Sequence, residues 1–124
     1  MSPDLARRLI ASKRWRWLPG CRWIVQREAP LEPVAGRLSD CAHPLYDGWS
    51  PYPGALPDLD DPATLGCLTA LVREAWGPAL VCVYHQRSQP RWEVEVDAPA
   101  PQQYHAFYGP TEGEALASAL EAAP

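Results

Sequence analysis

At 124 residues, with 47% hydrophobic and 21% charged side chains and a net charge of −4, the chain is long enough to bury one core and too short for two. No run approaches the roughly 18 consecutive apolar residues of a membrane helix. The charged start, Met1 to Ile10, lacks the apolar stretch of a secretory leader, so the four cysteines, Cys21, Cys41, Cys67 and Cys82, are expected as reduced thiols in a cytoplasmic protein.

Charge is divided along the chain. Residues 1–27 carry seven basic side chains against Asp4 alone, whereas residues 28–124 carry four basic against fourteen acidic. A basic head of this kind either reaches for a partner or docks on its own acidic body.

In chain order, Leu5, Leu9 and Ile10, with Asp4 early and Arg7, Arg8 and Lys13 following, predict a short helix over 3–12. Pro19-Gly20 is a turn signal, and Cys21 to Gln26 is rich in β-formers. A second short strand is expected over 34–38, with the intervening prolines limiting the ladder because they donate no hydrogen bond. Residues 39–61 hold Pro44, Pro51, Pro53 and Pro57 without apolar periodicity and predict a loop packed by Tyr46, Trp49 and Tyr52.

The next helix, 62–76, is well punctuated. Asp61 is placed to cap it, Pro62 suits its first turn, and Gly77-Pro78 stops it. Leu65, Leu68, Val72 and Trp76 form its apolar stripe. Residues 80–86 and 91–97 predict a hairpin, and the second strand alternates cleanly as Trp92-Glu93-Val94-Glu95-Val96-Asp97, apolar on one face and acidic on the other. A third strand follows over 103–108. Thr111-Glu112-Gly113-Glu114 then reads as a capping box, in which the Thr111 hydroxyl and the Glu114 carboxylate each satisfy a backbone donor, ahead of a small-residued helix to 122.

Residues 62–124 resemble the phage ABA sandwich domain, a family of small phage and prophage proteins. The resemblance rests on Ala75-Trp76-Gly77 at the end of the first helix, on the Trp92 strand, and on Gly109-Pro110-Thr111-Glu112-Gly113-Glu114-Ala115-Leu116. It implies a helix-sheet-helix layering and an accessory phage gene, with no common activity or catalytic residue. The order of elements also looks like the double-stranded-RNA-binding fold. That fold sets a lysine-rich cluster at the start of its last helix, where this chain has Glu112 and Glu114, and carboxylates there repel a phosphate backbone.

Three site chemistries compete. Lys13-Arg14-Trp15-Arg16-Trp17 interleaves cations with indoles that can stack bases, although the same pattern suits tryptophans packed in a core with their arginine neighbours in water. Among Cys21, Cys41, His43, Cys67, Cys82, His85 and His105 no zinc-type spacing occurs, so neither metal nor cofactor is expected. For catalysis, His85 and His105 need a carboxylate such as Glu93 or Glu95, and hairpin register decides: His85 opposite Trp92 turns to the apolar face, His85 opposite Glu93 makes an acid–base pair. The sequence leaves both registers open.

The expected protein is a single α+β domain, 1–124: a basic, Trp-rich head (1–38), a Pro-rich loop (39–61) and a helix, three-stranded antiparallel meander, helix unit (62–124) on which the head packs. Its expected role is non-catalytic. It binds another protein, a host or defence factor, through Glu93, Glu95 and Asp97, because a row of carboxylates can occupy a basic groove.

Overall fold

The computed structural model describes residues 3–38, 51, 54–99 and 103–124. Tyr46, Trp49, Tyr52, Cys41 and His43 lie outside these described residues. The fold is α+β, with three helices and two antiparallel three-stranded sheets among the described residues. The chain divides into two compact units, one formed by Met1–Ala11 with Trp15–Cys67 and the other by Ser12–Arg14 with Leu68–Pro124.

In the first unit α1 (Pro3–Ala11) buries Leu5, Ala6 and Leu9, with Leu9 four residues from Leu5 and three from Ala6 on one face. Strand β1 (Arg22–Val25) lies between β2 (Val34–Arg37) and β3 (Leu56–Pro57). The core gathers Cys21, Trp23, Leu38 and Ala55, with Trp15, Trp17, Val25, Val34 and Cys67 packed against it. Gly36 is dictated by this packing: a Cβ there would sit 2.5 Å from Cζ2 of the Trp23 ring. Strand β3 falls where the sequence predicts a loop. Two residues are too few to show alternation, and Pro57 is tolerated because β3 is a sheet edge.

The start of α2 (Pro62–Trp76) belongs to this unit and is tied to the sheet through Asp61. Asp61 accepts the Thr64 backbone N–H and hydroxyl, both at 2.9 Å, as an N-cap does. It also accepts a two-pronged Arg37 guanidinium at 2.9 and 2.8 Å. The Thr64 hydroxyl in turn accepts the Arg22 N–H at 2.8 Å, and the Arg22 guanidinium pairs with Asp58. Part of the head's positive charge is therefore spent on the carboxylates that precede α2.

In the second unit β4 (Leu80–Gln86), β5 (Arg91–Asp97) and β6 (Tyr104–Gly109) form the expected meander, followed by α3 (Glu112–Ala122). α3 packs on β6 and β5. Val81, Val94 and Val96 from the sheet and Leu116, Ala119 and Leu120 from α3 are buried, as are Leu68, Val72 and Trp76 of α2. The Trp76 indole donates to the Ala119 carbonyl at 2.9 Å and touches His105 and Phe107. A Cβ at Gly109 would fall 2.8 Å from the Ala115 nitrogen, so a glycine there lets β6 approach α3 closely. The capping box is half made. The Thr111 hydroxyl accepts the Glu114 N–H at 3.2 Å, while Oε2 of Glu114 is buried with no hydrogen-bond partner among the described residues.

Candidate functional site: a tyrosine and carboxylate sheet face

Register decides which side chains meet. His85 pairs with Trp92, Tyr84 with Glu93, Cys82 with Glu95 and Leu80 with Asp97. On the other side of β5, Glu93 pairs with Tyr108, Glu95 with Ala106 and Asp97 with Tyr104. Because side chains alternate, Val94, Val96, His105 and Phe107 share the face that meets Trp76 and α3. Glu93, Glu95 and Asp97 occupy the opposite face with Tyr84, Tyr104 and Tyr108.

These carboxylates are dressed by their neighbours. Glu93 is only 4% exposed. It accepts the Gln86 amide at 2.8 Å, and Gln86 accepts Nε of Arg91 at 2.7 Å. The Arg91 guanidinium lies over the Tyr108 ring, 4.0 Å from its centroid. Glu95 takes the hydroxyls of Tyr84 and Tyr104 on the same oxygen, the latter at 3.0 Å. Asp97 is exposed.

The electrostatics follow from this clustering of hydroxyls, an amide and a guanidinium around the carboxylates. The Tyr84 hydroxyl, against the opposing effect of burial and helped by Tyr108, Gln86 and the Arg91 charge, holds the Glu93 carboxyl below its ordinary range. The same clustering makes ionised phenols unfavourable. Glu93, then Glu95, pushes Tyr84 far up, Glu95 pushes Tyr104 up to about 12, and Glu93 raises Tyr108. Tyr84 and Tyr104 are thus held through their hydroxyls while the apolar surfaces stay in water, with Tyr84 38%, Tyr104 57% and Tyr108 44% exposed. Leu80, flanking Asp97 on β4, is 66% exposed. The arrangement suits contact with a donor-rich, partly apolar surface.

The remaining sequence candidates fall elsewhere. Trp15 and Trp17 pack edge to face at 5.4 Å against the first unit's core, as tryptophans with arginine neighbours in water would. Arg14 donates to the Ala123 carbonyl at 3.0 Å, while Lys13 and Arg16 are exposed. His85 stands against Trp92 at 5.3 Å and His105 against Trp76 at 4.9 Å. Their partner positions on β5, Trp92 and Val96, are four residues apart, about 13 Å along the strand. Both imidazoles share the face opposite Glu93 and Glu95, so the sheet brings neither to those carboxylates. Among the described residues no group of three or more His, Cys, Asp or Glu could hold a metal, and no helix is long and apolar enough to cross a membrane. An open groove of about 480 Å³ in the first unit, lined by Ile10, Trp17, Ala55 and Leu56 with Arg7, has no convergent polar set to orient a ligand.

Sequence reasoning finds the carboxylates and misses the tyrosines. Tyr104 and Tyr108 sit at even spacing and share a face, but only the hairpin register shows that it is the carboxylates' face. No family model, curated protein or solved structure matches this chain.

Proposed function

We propose that the protein is a non-catalytic accessory protein of the phage or prophage type that binds another protein, a host or defence factor, through the face of Glu93, Glu95, Asp97 and the three tyrosines. The observation that carries this reading is the exposure of three tyrosine rings, Tyr84 and Tyr104 held through their hydroxyls, around carboxylates on a sheet whose other face packs against α3. Rings fixed before binding lose little conformational entropy when a partner covers them, which is why tyrosine is favoured in interfaces.

The non-catalytic part is supported by the separation of His85 and His105 from Glu93 and Glu95 across the sheet. The phage-type part rests on the resemblance of residues 62–124, although Trp76 of α2 and α3 meet the same sheet face rather than forming the helix-sheet-helix layering it implies, and genome neighbourhood tests it: flanking genes without phage character would remove it. The docking part is tested by affinity purification followed by binding measurements with Tyr104→Ala and Glu95→Gln, each checked for unchanged circular dichroism. Loss of at least tenfold in affinity is expected, and a purified partner that binds both variants like the original refutes the docking face.

Nucleic-acid binding through Lys13, Arg14, Trp15, Arg16 and Trp17 is the weaker reading, because Trp15 and Trp17 are committed to the first unit's core and Arg14 to a backbone carbonyl. It predicts a low-salt gel shift that vanishes on removal of residues 1–17.

A further inference from the structure

We infer that the residue this face selects on its partner is arginine, with the guanidinium stacked on Tyr104 and ion-paired to Asp97; the inference rests on the docking reading above. The chain already holds one guanidinium on this face. Arg91 lies 4.0 Å above the Tyr108 ring and is steered by Gln86, which hands the contact on to Glu93. A ring face, an acceptor beside it and a carboxylate behind them form a complete guanidinium seat at that end of the sheet.

The components recur at the other end without an arginine of this chain among the described side chains that fill them. Tyr104 is the most exposed of the three rings at 57%, and its hydroxyl is fixed to Glu95 at 3.0 Å. Directly across β5 from it stands exposed Asp97, and beyond Asp97 stands Leu80, 66% exposed. A guanidinium over Tyr104 reaches the Asp97 carboxylate in its plane, while the methylene stem of the same side chain covers Leu80.

Charge points the same way. Among the described residues Glu93, Glu95 and Asp97 share this face with Arg91, so an incoming cation is attracted and a phosphate backbone is repelled. Lysine meets these groups less well. Its ammonium is a compact, strongly hydrated point charge that neither stacks on a ring nor forks onto a carboxylate.

The test is a titration of the isotope-labelled full chain, followed by backbone and tyrosine-ring NMR shifts, with two terminally blocked peptides. One carries arginines in a Gly-Ser background and the other lysines at the same positions. Shifts at Leu80, Asp97 and Tyr104 are expected, with the arginine peptide binding about fivefold tighter than the lysine peptide. Tyr104→Phe, which keeps the ring, should retain most of that preference, and Tyr104→Ala should abolish it. Equal affinity for the two peptides, or no shift with either, overturns the arginine assignment while leaving the docking reading to the purified partner. If Tyr104→Ala leaves that partner's binding intact, the docking reading falls as well.

Discussion

Replacing Asp61 removes a larger share of the first unit's stability than any change of an exposed charge. Asp61→Ala deletes the acceptor of the Thr64 N–H, an N-cap worth about 1 kcal/mol. It also leaves the hydroxyl of fully buried Thr64 without the carboxylate it donates to, adding about 1 to 2 kcal/mol. The two-pronged Arg37 contact adds little, because the Arg37 side chain is 46% exposed and rehydrates when released. The expected total is about 2 to 3 kcal/mol. Asp61→Asn preserves the cap acceptor and loses the charge, so it should cost far less. Urea unfolding followed by tryptophan fluorescence and circular dichroism reads both, as a lowered midpoint at unchanged slope. The Arg37 guanidinium first, then the Thr64 hydroxyl and N–H, hold the Asp61 carboxyl well below its ordinary range against the effect of burial. Its folded pKa lies under the unfolded value of about 3.9, so this stabilisation is present above that value and lost as pH falls through the folded pKa. Acid should therefore unfold the native chain with a slope that Asp61→Ala lacks. An Asp61→Ala variant within about 0.5 kcal/mol of the original, or an Asn variant as damaging as Ala, refutes the reasoning.

Gly36→Ala sets a Cβ 2.5 Å from the buried Trp23 ring and should destabilise by about 1 to 3 kcal/mol in the same urea assay, with a shift in tryptophan emission. In a spectrophotometric tyrosine titration Tyr104 should ionise near 12, and Glu95→Gln should bring it back towards the ordinary value of about 10. Since the folded pKa of this phenol is the raised one, its contribution to stability is intact below about 10 and lost as pH climbs through about 12. Thiol labelling mapped by peptide mass should modify exposed Cys82 first and half-buried Cys67 more slowly. Cys21, whose thiol is buried and pushed up to about 12 by that burial, should react only on unfolding.

What the sequence discloses follows the range of the interactions responsible. The helix 62–76 is legible because Asp61, Pro62 and Gly77 punctuate it within a few residues, and strand β5 is legible because alternation is local. β3 is hidden because its pairing with Trp23 and Ile24 is long-range and spans only two residues. The carboxylate row can be read from β5 by itself. Its tyrosines cannot, because Tyr84 reaches Glu95 only once a register is chosen between strands, and a slip by one residue would exchange the two faces. Trp15 and Trp17 show the converse. Their alternation with arginines suits a nucleic-acid arm as well as core tryptophans with arginine neighbours in water, and only the long-range packing against the first unit's core decides for the second.

Everything claimed for the sheet depends on His85 standing opposite Trp92. A side-chain nuclear Overhauser experiment reads that register directly: cross-peaks are expected from the Tyr84 and Tyr104 rings to the Glu95 methylenes. Cross-peaks from those rings to the Val94 or Val96 methyls instead would turn the tyrosines inward and contradict it.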